Sequence, residues 1–168
     1  MKPILIISLL CSLVSLSATA QATDSRSGNA TLERGRALTV LGGCHDCHTP
    51  GYPEAAGKVP KAEWLTGNAV GFQGPWGTSY PVNLRLYVQG KTEKEWIARV
   101  RQPMRPPMPW FNLRDSSDAD LIAMYRYMRS LGAAGQPAPP PAAPGVAVST
   151  PYFEFVPKNL PKQARATH

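Results

Sequence analysis

The sequence predicts a small, mainly α-helical domain interrupted by one long ordered loop and followed by an extended Pro-rich tail. Capped segments with apolar residues at helical spacing carry the helical reading. No strand-like alternation of useful length precedes the tail. Pro137, Pro139, Pro140, Pro141 and Pro144 then mark where the packed domain ends.

The chain opens on a secretory signal. Met1-Lys2-Pro3 is a short basic start, Ile4 to Leu16 is apolar apart from serine and cysteine, and Ala18-Thr19-Ala20 is an A-x-A cleavage site. The apolar run falls short of the roughly 20 residues that span a bilayer, so membrane association is expected to be peripheral at most. Residues 1–20 are therefore expected to be removed, with Cys11 among them, and 21–30 to form a flexible leader.

The domain itself is expected over 31–132. A first helix starts near Thr31, has Glu33 in its first turn, presents Leu32, Leu38 and Leu41, and stops at Gly42-Gly43. Residues 49–90 are rich in Gly and Pro and read as a long ordered loop with little regular structure. Thr92-Glu93-Lys94-Glu95 is a capping box; Trp96, Ile97 and Val100 follow on one face until Pro103 stops the helix. A last helix begins near Ser116 or Ser117, repeats Leu121, Met124/Tyr125, Met128 and Leu131, and ends at Gly132. The tail, 133–168, reads as polyproline-like, and its aromatic segment 150–156 either straps back onto the domain or meets a partner protein.

Chemistry concentrates in Cys44-His45-Asp46-Cys47-His48, the one place where cysteine and histidine come together. Two thiols three positions apart, followed at once by histidine, match the attachment spacing of a c-type haem. Each cysteine forms a thioether with one porphyrin vinyl group, and the histidine is then held under the iron as proximal ligand. Zinc knuckles and dithiol oxidoreductases also use C-x-x-C, but a structural zinc site needs a second ligand pair that this chain lacks, and no βαβ context surrounds residues 30–60. Without Cys11, the mature chain holds Cys44 and Cys47 and no other cysteine, so attachment leaves no free thiol in an oxidising compartment. One covalent haem also explains the long loop: Trp64, Leu65, Phe72, Trp76 and Tyr80 are expected to pack on it. A domain this small has a thin apolar core of its own, so folding is expected to be coupled to haem attachment.

Elimination points to methionine as the sixth ligand. His48 is proximal, His45 is trapped between the cysteines, and His168 ends a loose tail, so methionine is the remaining donor. Met124 and Met128, four apart on the last helix, read as core. Met104 and Met108 remain in Gln102-Pro103-Met104-Arg105-Pro106-Pro107-Met108-Pro109-Trp110; prolines on both sides of Met108 restrict its backbone and favour it over Met104. Trp76 and Trp110 are expected to exclude water from the cofactor.

The stretches LGGCHDCHTP, GPWGTSYPVNL, TEKEWIARV, RPPMPWFNL and DADLIAMYRYMRSLG resemble a single-haem class I c-type cytochrome of the bacterial periplasm, over about residues 35–132. The resemblance implies a mainly α cytochrome c-like fold with N- and C-terminal helices packed together, thioethers at Cys44 and Cys47, and His48 and Met108 as the axial pair. It implies an electron carrier between redox enzymes, and similar sequences also serve as cytochrome partners or domains of periplasmic dehydrogenases.

The formal charge is +7, and Lys2 is the one charged residue of the signal segment, so the mature chain carries +6 before the haem. Arg99, Arg101, Arg105 and Arg114 cluster near the methionine loop, which suits docking to an acidic-surfaced dehydrogenase or oxidase. An exported chain without an aromatic–basic binding pattern is not expected to bind nucleic acid. The leading expectation is a periplasmic one-electron carrier rather than an enzyme. The rivals are a cytochrome subunit of a dehydrogenase complex and a peroxidase-like haem enzyme with an open coordination position.

Overall fold

The computed structural model describes residues 27–159. The expected signal peptide and His168 lie outside that range. Helix α1 covers 27–41, so residues 27–30 are helical and not part of a leader. Thr31 sits inside this helix and does not cap it: its hydroxyl donates back to the Ser27 carbonyl at 3.0 Å. Gly43, at φ +67°, turns the chain directly into α2, Cys44–His48.

The expected loop over 49–90 contains more structure than its composition suggests. A 3-10 turn at Lys61–Glu63 is followed by a hairpin, β1 (Gly71–Gly74) and β2 (Gly77–Ser79), and then by α3, Leu84–Gln89. The hairpin register pairs Phe72 with Ser79 and Gly74 with Gly77, leaving Pro75-Trp76 as a two-residue turn. Asn83 caps α3 by accepting from the Leu86 amide at 3.0 Å.

Helix α4, Glu93–Val100, carries the capping box read from the sequence: the Glu95 amide donates to the Thr92 hydroxyl, and the Thr92 amide donates to the Glu95 carboxylate at 2.8 Å. A short helix α5, Trp110–Arg114, precedes α6, Asp118–Ser130, which is capped by Ser117. Leu121, Met124, Tyr125 and Met128 of α6 are buried with Trp96 and Val100 of α4, and the Trp96 indole donates to the Leu121 carbonyl at 2.9 Å. Met124 and Met128 are thus core residues.

Helix α1 meets α6 differently from its apolar pattern. Gly35 and Thr39 are buried, whereas Leu41 is 85% exposed. A Cβ on Gly35 would lie 2.0 Å from the Ala123 carbonyl oxygen, so the two helices touch backbone to backbone at that point. Arg34 and Asp120 close the same crossing with an exposed ion pair at 2.9 Å.

The described part of the tail, 133–159, is extended but docked. Asn83 Nδ2 donates to the Ala134 and Gln136 carbonyls, Ala142 forms an antiparallel bridge with Thr78, and β3 (Tyr152–Glu154) adds in parallel to β1. The sheet order is β2-β1-β3. Phe153 stacks on Phe72 at 5.8 Å while keeping 56% of its surface exposed. Segment 150–156 is therefore a strap on the hairpin, held by main-chain bonds more than by burial.

Candidate cofactor site

Helix α2 gathers the motif. Positions 44, 47 and 48 stand at i, i+3 and i+4 and so share one face of the turn, while His45 is turned toward Tyr52 and Trp64. His45 is 1% exposed, stacks on Tyr52 at 4.8 Å and meets the edge of Trp64 at 5.2 Å. It anchors the motif in the protein through Tyr52 and Trp64.

The thiols are half-buried and unbridged. Burial pushes Cys44 up to about 11, with the Asp46 carboxylate adding to the effect. Burial raises Cys47 as well. A redox-active dithiol needs the opposite environment, one that stabilises a thiolate. Both positions are poor candidates for disulfide exchange.

His48 is buried, and its Nδ1 lies 2.7 Å from the Val82 carbonyl oxygen. A carbonyl can only accept, so Nδ1 carries the proton and Nε2 keeps a lone pair. Burial also holds the imidazole below its usual pKa, partly opposed by the Val82 bond. The ring is thus neutral, fixed in one tautomer and oriented by a main-chain partner, as metal-ligating histidines are. The Gly67 amide donates to the His48 carbonyl at 2.8 Å and fixes the end of α2.

The two methionines of the Pro-rich loop are placed differently. Met104 packs against the hydrophobic core, whereas Met108, also half-buried, lies outside that cluster. Met108 closes a turn, its amide donating to the Arg105 carbonyl at 3.3 Å, and Trp110 begins α5 two residues later. One short segment links the two candidate ligands: Val82 holds His48, while Ser79 donates to the Pro106 carbonyl at 2.6 Å.

The expected aromatic lining divides. Leu65 is fully buried in the protein core, and Trp64 packs against it with its indole donating to the Val59 carbonyl. Phe72 and Trp76 contact the strap, Trp76 meeting Phe155 at 6.1 Å, and the Tyr80 hydroxyl bonds Thr150. Trp110 lies under the Arg114 guanidinium at 5.2 Å. Val82 has no signature in the sequence because its contribution is a main-chain carbonyl; Ser79 has none because its acceptor is distant along the chain.

The residues fit a covalent haem by this geometry: two thiols and one basic, neutral imidazole nitrogen on a common face, with a methionine outside the core on a separate loop. Among the described residues, no group of three His, Cys, Asp or Glu side chains stands together as a metal cluster. No described helix is long and apolar enough to cross a membrane.

The chain is similar to part of a nicotinate dehydrogenase from Pseudomonas putida, within one of that enzyme's subunits. Identity is 28% over 121 residues, covering 66% of this chain and 9% of that protein. The chain therefore spans a small part of the relative's length, and what it resembles is a portion of a dehydrogenase subunit. No family model matches the chain, and no solved structure does.

Proposed function

We propose that the protein is a periplasmic electron carrier of the class I c-type cytochrome kind, in which Cys44 and Cys47 would hold one haem c and His48 and Met108 would ligate its iron. The observation that carries this reading is the His48–Val82 bond, which leaves Nε2 unprotonated on the same helix face as both thiols. When bound, the haem supplies an iron that takes up and releases one electron. The chain's part is to orient the imidazole through Val82, to present a methionine from a proline-stiffened turn, and to limit water access with Trp110 beside that turn and Trp76 on the hairpin.

The similarity to a dehydrogenase subunit favours a dehydrogenase as electron donor, with this chain acting as its carrier or as its cytochrome subunit. Charge gives modest support for an acidic partner surface. Arg101 is paired with Asp118 and Arg114 with Asp115, whereas Arg99 and Arg105 have no carboxylate partner among the described residues. Steering by the net positive charge rests mainly on the latter two.

Spectroscopy of the oxidised protein tests the reading. Wild type is expected to be low-spin with the near-red iron–methionine charge-transfer band; Met108→Ala abolishes the band and Met104→Ala keeps it. A high-spin wild type that binds cyanide rapidly would instead establish an open coordination position.

A further inference from the structure

The turn that presents Met108 is poorly supplied with its own backbone donors. Residues 105–108 are Arg-Pro-Pro-Met, and neither proline has an N–H to tie the turn down. Besides the Met108 amide bond to Arg105 and the Trp110 amide bond to the Met108 carbonyl at 2.9 Å, two side-chain contacts hold it. Ser79 Oγ donates to the Pro106 carbonyl at 2.6 Å, and the Arg105 guanidinium donates to the Ala142 carbonyl at 3.0 Å.

Ala142 belongs to the docked tail that ends in the strap. Its amide donates to the Thr78 carbonyl at 2.9 Å, and its carbonyl accepts from the Thr78 amide at 3.1 Å as well as from Arg105. Further along, the Gly71 amide donates to the Pro151 carbonyl at 2.8 Å and the Phe155 amide to the Gln73 carbonyl at 2.7 Å. The approach depends on Gly77, at φ +91°, where a Cβ would stand 2.2 Å from the Ala142 carbonyl oxygen.

We infer that the docked C-terminal tail is a positioning element for the sixth iron ligand: lying on the hairpin, it clamps Arg105 through Ala142 and so keeps Met108 on the iron. The inference rests on the proposed His48 and Met108 ligation. Among the described residues, Arg105 is the side chain whose hydrogen bond joins the tail to the methionine turn, so undocking the tail removes one of the turn's two side-chain tethers, leaving Ser79, while the helical core, built on α4 and α6, stays intact.

The full-length holoprotein tests it with two temperature scans, one following the near-red iron–methionine band and the other the far-ultraviolet helical signal. Arg105→Met removes the clamp, Gly77→Ala pushes the tail off the hairpin from a residue outside the turn, with backbone strain of its own at φ +91°, and Arg105→Lys restores a donor. Expected is loss of the band about 5 °C or more below its wild-type temperature in Arg105→Met and in Gly77→Ala. The helical melt shifts by less than about 2 °C, and Arg105→Lys recovers much of the difference. Unchanged band temperatures in both disrupting variants, or a band that moves only together with the helical melt, overturn the inference. A wild type without the band, or a band that survives Met108→Ala, overturns the ligation itself and the clamp with it.

Discussion

The imidazole of His48 donates from Nδ1 to the carbonyl of Val82 at 2.7 Å, across 34 residues of chain. This bond decides which ring nitrogen is free, and it is made by backbone on a segment that also holds the methionine turn through Ser79. The Nδ1 proton is therefore expected to be sheltered. In NMR spectra of the protein carrying the proposed haem in its diamagnetic reduced state, its resonance should persist for minutes or longer after transfer to D₂O. Immediate exchange would place the proton on the other nitrogen or the ring in solvent.

Gly35→Ala sets two effects against each other. Helix propensity alone favours alanine by about 1 kcal/mol. The new Cβ, however, would stand 2.0 Å from the Ala123 carbonyl oxygen and 2.8 Å from the Tyr127 Cβ, so α1 must move away from α6. Overpacking against backbone wins, and a net loss of about 1–2 kcal/mol is expected, read as a lower urea midpoint with little change in slope. A midpoint at or above wild type would mean that the crossing is loose.

What was legible in the sequence follows from which signals are local. The capping box at Thr92 and Glu95 and the apolar repeat of α6 are written within one turn or one helix face, and both helices stand where those signals put them. The burial of Gly35 was not legible, because hydrophobic periodicity seeks large side chains and this contact needs the absence of one. The hairpin was hidden because its strands, Gly71–Gly74 and Gly77–Ser79, are too short to show alternation, although Pro75-Trp76 between glycines is a turn signal. Helix α3 follows an Asn83 cap with only six residues, fewer than two turns. At the candidate site, the gathering of the cysteines and His48 on one short helix is legible from their spacing, whereas Val82 and Ala142 act through carbonyls that any residue would supply.

Arg85 is buried with no carboxylate paired to it among the described residues. Its guanidinium donates to the Gly132 carbonyl at 2.7 Å, to the Ala62 carbonyl at 2.8 Å and to the Leu131 carbonyl. Two of these acceptors lie at the C-terminal end of α6, where the helix dipole favours a cation. Arg85→Leu leaves three acceptors without this donor and is expected to cost about 3 kcal/mol, whereas Arg85→Lys regains part of it through one ammonium. Chemical denaturation of the two variants distinguishes this from simple loss of packing, in which leucine would be the milder change.

Acid is expected to act on the fold through His45. The ring is buried against Tyr52 and Trp64, its Nδ1 lies 2.9 Å from the Thr49 hydroxyl oxygen, and its Nε2 has no partner among the described residues. Burial, opposed by Asp46 and reinforced by His48, holds its pKa below the ordinary 6.5. In the unfolded chain the same ring takes up a proton near 6.5, so on acidification the unfolded state binds a proton that the folded state refuses. The stabilising contribution of the neutral ring is complete above that pH and is lost as pH falls toward the folded-state value, at up to about 1.4 kcal/mol per pH unit. His45→Phe preserves an aromatic ring against Tyr52 but cannot titrate. Its urea-unfolding free energy is expected to be lower than wild type at about pH 7.5, through the lost Thr49 contact, yet to fall less steeply between about pH 7 and 5. Equal slopes in the two proteins would assign the acid sensitivity to another group.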